Sequence, residues 1–248
     1  MSTVHENTRE LAIQQALHEL RGKLSGSLIE PRDPLYEEAR RVWNGMVDLR
    51  PRAVVRAGAL PDIDAVLDAV RRTGLALAVR GGGHNVAGHG TVDGGLVLDL
   101  GQLKRVQVYA GSKLVTVEPG ATLADVDRET AVHNLAVPLG VISGTGVAGL
   151  TLGGGVGWLT RSSGLSLDNL ECVDIVTATG EHLHAAAHEN PELFWGLRRR
   201  RKLWRGDVLY LPCPRAAAGP AGREPVLPAG TLARGPACLC RLDPWPAR

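Results

Sequence analysis

In Arg80-Gly81-Gly82-Gly83-His84-Asn85-Val86, three glycines stand directly before a histidine. Consecutive glycines let successive backbone N–H groups converge, because no Cβ blocks left-handed or extended conformations. Converging N–H groups form a nest for anionic oxygens, with a diphosphate the commonest such ligand, and Arg80 would add charge. The alternative for the glycines alone is a tight turn or a close crossing of strands. The His84 imidazole stands where a closely approached ligand would meet it.

A second glycine tract, Ser143-Gly144-Thr145-Gly146-Val147-Ala148-Gly149, continues through Gly153-Gly154-Gly155-Val156-Gly157-Trp158. Gly144-x-Gly146-x-x-Gly149, with Asp168 beyond it, formally matches a dinucleotide fingerprint and leaves a nicotinamide-dependent dehydrogenase open as an alternative. That fingerprint needs a firm helix after its third glycine. Here four further glycines follow within eight residues, each costing about 1 kcal/mol of helix stability relative to alanine.

Other chemistry-bearing residues are scattered. His89 lies in the same loop as His84, while His5, His18, His133 and His188 are accounted for by surface or helix-face positions. His182-x-His184 places two rings on one strand face, but no third metal ligand is evident. Cys238-x-Cys240 has the wrong spacing for a zinc knuckle. Cys172 sits in an apolar strand pattern and reads as a core residue.

The elements that must position these loops alternate. Residues 6–22 and 34–44 carry helical apolar faces, the latter opened by Asp33-Pro34. Strands are expected at 53–56, 75–79, 95–100, 105–109, 114–118 and 172–178. Helices are expected from Pro61 to near Gly74, over 122–133 behind a Thr122-x-x-Asp125 capping pattern, and over 193–197. A strand–helix–strand unit thus leads directly into the first glycine loop.

An apolar fraction of 44% permits a sizeable core. No apolar run reaches the length of a membrane helix, and the charged first thirty residues lack the apolar centre of a secretory signal. A cytoplasmic protein without membrane contact is the expectation. Residues 1–198 hold 18 Lys+Arg against 23 Asp+Glu, a net −5, whereas 199–248 hold 10 against 3, a net +7. The basic end also holds eight of the fifteen prolines and no periodicity, so it reads as a disordered tail.

From about Leu24 to Arg198 the chain resembles the flavin-binding part of the berberine-bridge-enzyme-like FAD-linked oxidases, within the p-cresol methylhydroxylase / vanillyl-alcohol oxidase superfamily. The matching stretches run in order. They are Leu24-Ser25-Gly26, Tyr36 with Trp43-Asn44, Arg50-Pro51, Val79–His84, Val97–Leu100, Val117–Ala121, Leu152–Leu159, Gly164 to Asn169, and Leu193–Arg198. The resemblance implies an α+β, two-subdomain FAD-binding domain over 48–198, preceded by an N-terminal helical segment over 1–47. The substrate domain would be missing and 199–248 an aberrant tail. It implies FAD contacts from Arg80, Gly81, Gly82, Gly83, His84, Asn85 and Val86, from Ser143, Gly144, Thr145, Gly146 and Gly149, and from the backbone of Ile175 near the adenine. His84 would bond covalently to the flavin 8α-methyl. The implied activity is oxidation of a small-molecule C–H bond with dioxygen as acceptor, and no nucleic-acid partner.

Two departures qualify this. Many relatives bind FAD a second time through a cysteine, and Ile142 occupies that position, so a single attachment is expected. After Arg198 the family continues with a glycine run. Here Arg199-Arg200-Arg201-Lys202-Leu203-Trp204-Arg205-Gly206-Asp207-Val208-Leu209-Tyr210-Leu211 can be back-translated and read one base later as Gly-Gly-Gly-Asn-Phe-Gly-Val-Val-Thr-Ser-Phe-Thr-Phe. The expectation is a frameshift near codon 199, which would make the basic tail uninformative about partners. A flavin-binding fragment without turnover stays open beside the oxidase.

Overall fold

The structure, a computed structural model, describes residues 2–199, 208–211 and 219–220. Ser2–Lys23 (α1) is followed by a short strand, Ser27–Ile29 (β1), and a single helical turn, Tyr36–Ala39 (α2). Ala53–Arg56 (β2), Leu60–Thr73 (α3) and Leu77–Arg80 (β3) form the expected strand–helix–strand unit. Pro61 sits in the first turn of α3, and Gly74 ends it in the left-handed conformation at φ 65°, which only glycine adopts freely. Leu96–Asp99 (β4) then inserts between β2 and β3. The resulting sheet has the order β1-β2-β4-β3, with β2, β4 and β3 parallel and β1 antiparallel at the edge.

Parallel neighbours cannot be joined by a tight hairpin, so the chain from β3 must travel back along the sheet before entering β4. Residues 81–95 make that journey without a helix, and they contain the first glycine loop. Both faces of the central strands are covered. Val54, Val55, Leu96, Val97 and Leu98 have no exposed surface, packing on one side with α1 and α3 and on the other with Tyr36 and Ala39.

A second unit begins with the hairpin Val106–Tyr109 (β5) and Leu114–Val117 (β6), followed by Leu123–Ala131 (α4) and Leu135–Ala136 (β7). Val115, Val117, Leu123, Val126 and Val147 form its core. Two short helices, Val147–Leu152 (α5) and Thr160–Ser163 (α6), occupy the second glycine tract. Cys172–Thr177 (β8) and His182–Ala186 (β9) pair antiparallel, and Pro191–Arg199 (α7) packs on them. Cys172 is 3% exposed, as its apolar neighbours suggest.

Two expectations are revised. The helix expected over 34–44 stops after Ala39, because the carbonyls of Ala39 and Arg41 accept hydrogen bonds from the Arg80 guanidinium instead of continuing the helix. The N-terminal stretch is not helical throughout, since β1 joins the main sheet through it. There a Cβ on Gly26 would fall 1.9 Å from the Arg56 carbonyl oxygen, so the backbones touch. In α7, Phe194 and Leu197 are buried against Val173, Ile175 and Ala185. The tail expected to be disordered lies outside the described residues, except Val208–Leu211 (β10), antiparallel to β8, and Gly219–Pro220 (β11), antiparallel to β7. The stretch 200–207 at the expected frameshift is likewise outside them.

Candidate cofactor site

Where β3 ends, the chain turns away from Arg80 into Gly81-Gly82-Gly83. Arg80 itself is 6% exposed, and its guanidinium donates to Ala39 O at 2.6 Å, Arg41 O at 3.0 Å and Asp99 Oδ2 at 2.8 Å. Its expected role is therefore corrected. The side chain is spent bracing the loop from below and does not face an anion.

Each glycine that follows is needed for a different reason. A Cβ on Gly81 would lie 2.8 Å from the Pro119 carbonyl oxygen, and one on Gly82 would lie 2.3 Å from the Gly146 nitrogen. Gly83 has φ 69°. The close approach is mutual, since a Cβ on Gly146 would fall 2.5 Å from the Gly82 nitrogen. The two glycine loops, more than sixty residues apart in sequence, thus touch backbone to backbone. Among the described residues, the N–H groups of Gly81, Gly82, Gly83, His84 and Asn85 donate to no protein acceptor, nor do those of Ser143, Gly144 and Gly146. N–H groups left free on two abutting loops fit the diphosphate of an extended dinucleotide cofactor.

His84 follows on the rim, partly buried. A Cβ on Gly144 would lie 3.6 Å from its Nε2, so the ring edge meets the second loop. Its flat side stacks on Trp43, with centroids 5.5 Å apart and an interplanar angle of 23°. Asn85 folds its own turn: its carbonyl accepts from Gly88 N–H and its Oδ1 from His89 N–H. Val86 is largely exposed.

The second loop is held differently. Leu123 N–H donates to Thr145 O, Ala124 N–H to Ser143 O, and Val147 N–H to Ala121 O, so the start of α4 supports it through backbone alone. The α4 start is in turn fixed by the expected capping pattern, in which Thr122 N–H and Oγ1 both bond Asp125 Oδ2, at 3.0 and 2.8 Å. Burial raises the Asp125 pKa, but the Thr122 bonds and Arg128 outweigh it and hold the carboxyl below its ordinary value. Ser143 and Gly144 are exposed beside His84, Gly149 is exposed in α5, and Ile142 is 58% exposed at the mouth.

The dinucleotide fingerprint read at Gly144–Gly149 is not built as such. The helix after it spans six residues, and β8 pairs antiparallel with β9, so no parallel strand–helix–strand crossover surrounds it. The Ile175 side chain is buried with Phe194 and Leu197, and its residue is paired with both Leu183 and Tyr210. His182 and His184 contact different carboxylates, Asp64 at 3.0 Å and Asp174 at 2.6 Å, and no metal-holding cluster occurs among the described residues. No helix among them is long and apolar enough to cross a membrane.

Sequence reasoning missed the braces: Asp99, Trp43 stacked on His84, and Asp62, whose carboxylate accepts from Ser25, Gly26 and Gly58 N–H. Trp43 lies in an irregular stretch where periodicity carries no signal, and Asp62 reads as an ordinary first-turn acid.

The FAD binding domain family matches residues 51–186. The chain is similar to (R)-6-hydroxynicotine oxidase of Paenarthrobacter nicotinovorans, 34% identical over 175 residues, which is 71% of this chain and 38% of that one. Its fold is similar to that of BBE-like 1 from Physcomitrella patens, at TM-score 0.74 and 26% identity over 82% of this chain and 44% of that one. It is also similar to glucooligosaccharide oxidase from Acremonium strictum, described as carrying 6-S-cysteinyl, 8α-N1-histidyl FAD, at TM-score 0.71 and 28% identity over 83% and 42%. The chain spans about two fifths of the length of these relatives. The abutting glycine loops and a family match over more than half of the 248 residues agree: the chain belongs to the FAD binding domain family of FAD-linked oxidoreductases.

Proposed function

We propose that this chain supplies the cofactor half of an FAD-linked oxidase, with FAD tethered covalently through His84. The observation that carries the reading is the contact of Gly82 with Gly146, with unpartnered N–H groups on both loops and His84 at their shared rim. Gly81, Gly82 and Gly83, with Ser143, Gly144 and Gly146, would hold the diphosphate, and His84 would hold the ring system. His84 would hold FAD through an imidazole nitrogen, one N–H and one cofactor C–H giving way to an N–C bond while dioxygen would take the two protons and two electrons. The chemistry supplied by bound FAD is hydride acceptance from a C–H bond next to oxygen or nitrogen of a small substrate. The side chain of Ile142 has no nucleophile, so a second tether at that position is ruled out and His84 would be a single attachment. The protein's contribution is placement, achieved by the braces beneath Arg80 and around Thr122.

A second reading, a flavin-binding chain without turnover, is supported by the one-base-shifted pattern at Arg199–Leu211. The test is acid precipitation of the purified chain. Yellow colour should stay with the polypeptide and be lost in His84→Ala; colourless protein, or colour unaffected by that change, refutes the tether. Peroxide release on alcohols, sugars and amines separates oxidase from inert holder, and sequencing the gene across codon 199 tests the shifted frame.

A further inference from the structure

Trp43 and Asn44 sit about forty residues before His84, in an irregular stretch between α2 and β2, outside both glycine loops. Yet they close on the loop from both sides of the histidine. Trp43 N–H donates to Gly83 O at 3.1 Å, and Asn44 Nδ2 donates to Val86 O at 2.7 Å. The Asn44 carboxamide is oriented by Met46 N–H, which donates to Asn44 Oδ1 at 3.1 Å. Between these two ties the Trp43 indole lies on the His84 imidazole, centroids 5.5 Å apart and planes 23° from parallel.

This matters because no polar contact fixes the ring. Among the described residues the imidazole makes no hydrogen bond and no ion pair, and Gly144, which its edge approaches, has no side chain to hold it. A loop histidine in that situation is free to turn about its side-chain bonds. A nucleophile needs its attacking atom held within a few tenths of an ångström and about 10–20° of the productive line. Trp43 is 62% exposed, so its stacked position is not explained by a need to bury it in a core.

We infer that Trp43 is a positioning residue for cofactor attachment, its indole face orienting the His84 ring while the Trp43–Asn44 dipeptide pins the loop on either side. This rests on His84 being the attachment residue. It predicts a requirement for an aromatic face at position 43, separate from any requirement for holding FAD itself.

The test uses the full chain refolded or expressed without flavin and then supplied with FAD and air. Covalent incorporation is followed by the fluorescence of the acid-precipitated polypeptide, and total binding by retention before acid. Trp43→Phe should attach FAD at close to the wild-type rate. Trp43→Leu should bind FAD within about twofold of wild type but attach it about tenfold to a hundredfold more slowly, the scale of a misplaced reacting group. Equal attachment by the two variants overturns the inference. A readout independent of flavin comes from nuclear magnetic resonance of the flavin-free wild-type chain. The His84 ring protons, identified by their loss in His84→Ala, should be displaced upfield by the indole ring current; unshifted resonances overturn the inference even if Trp43→Leu fails to fold. A wild-type chain that never attaches FAD sinks the tether and this role together, whereas attachment without dependence on Trp43 sinks this role alone.

Discussion

The two glycine loops meet at one point but are immobilised by opposite means. The first, Gly81 to Val86, is braced by side chains: the Arg80 guanidinium beneath it, reaching Asp99 and two carbonyls, and Trp43 with Asn44 around it. The second, Ser143 to Gly149, is held by backbone bonds to the start of α4, with side chains acting only one step away through Thr122 and Asp125. A loop that must present a reactive ring is fixed by directional, charged contacts. A loop that only offers N–H groups is served by backbone ties that leave its surface open.

Breaking the first brace should have the largest effect. Arg80→Ala leaves two carbonyls without this donor and takes from Asp99 its shortest ion pair, with Arg56 and Gly101 N–H remaining, and removing one member of a largely buried ion pair costs about 3 kcal/mol. A large fall in the urea midpoint, with covalent FAD lost alongside, is the expected outcome. A stable variant would mean that the brace is not needed.

Breaking the contact itself comes next. Gly82→Ala puts a methyl group 2.3 Å from the Gly146 nitrogen, an overpacking of about 3 kcal/mol if the loops stay together. The reference is Gly74→Ala, at φ 65° with nothing within 4 Å, which should cost only the left-handed strain of about 1 kcal/mol. FAD retention should fall in the first variant and not in the second. Equal behaviour would show that the loops need not touch.

The second loop's support is the smallest lever. Asp125→Asn should cost about 1 kcal/mol at neutral pH, the usual worth of a cap. Because the folded carboxyl titrates below its ordinary value, its stabilisation is present above the unfolded pKa of about 3.9 and is lost as pH falls through the folded value. The gap between variant and wild type should therefore close in acid. A gap that is constant with pH would assign the loss to packing instead of charge.

Much was legible in the residues. The strand–helix–strand unit ending in Gly81-Gly82-Gly83-His84 has local signals, namely Pro61, Gly74 and apolar runs, and each acts over a few residues. The Thr122–Asp125 pattern likewise declares itself within four positions. The helix expected to run past Ala39 failed for a non-local reason: its carbonyls are claimed by Arg80, which the fold brings from the far end of β3.

The sequence by itself determined which backbone segments could approach one another, because only glycine at 81, 82 and 146 leaves that space. Tertiary structure alone decided what those segments approach. It turned Arg80 inward to Asp99, brought Gly82 onto Gly146, and laid Trp43 on His84, since each of these contacts joins residues with no periodic or local relation in the chain. Glycine permits closeness at any position, but the partner is chosen by the tertiary packing that brings distant loops together.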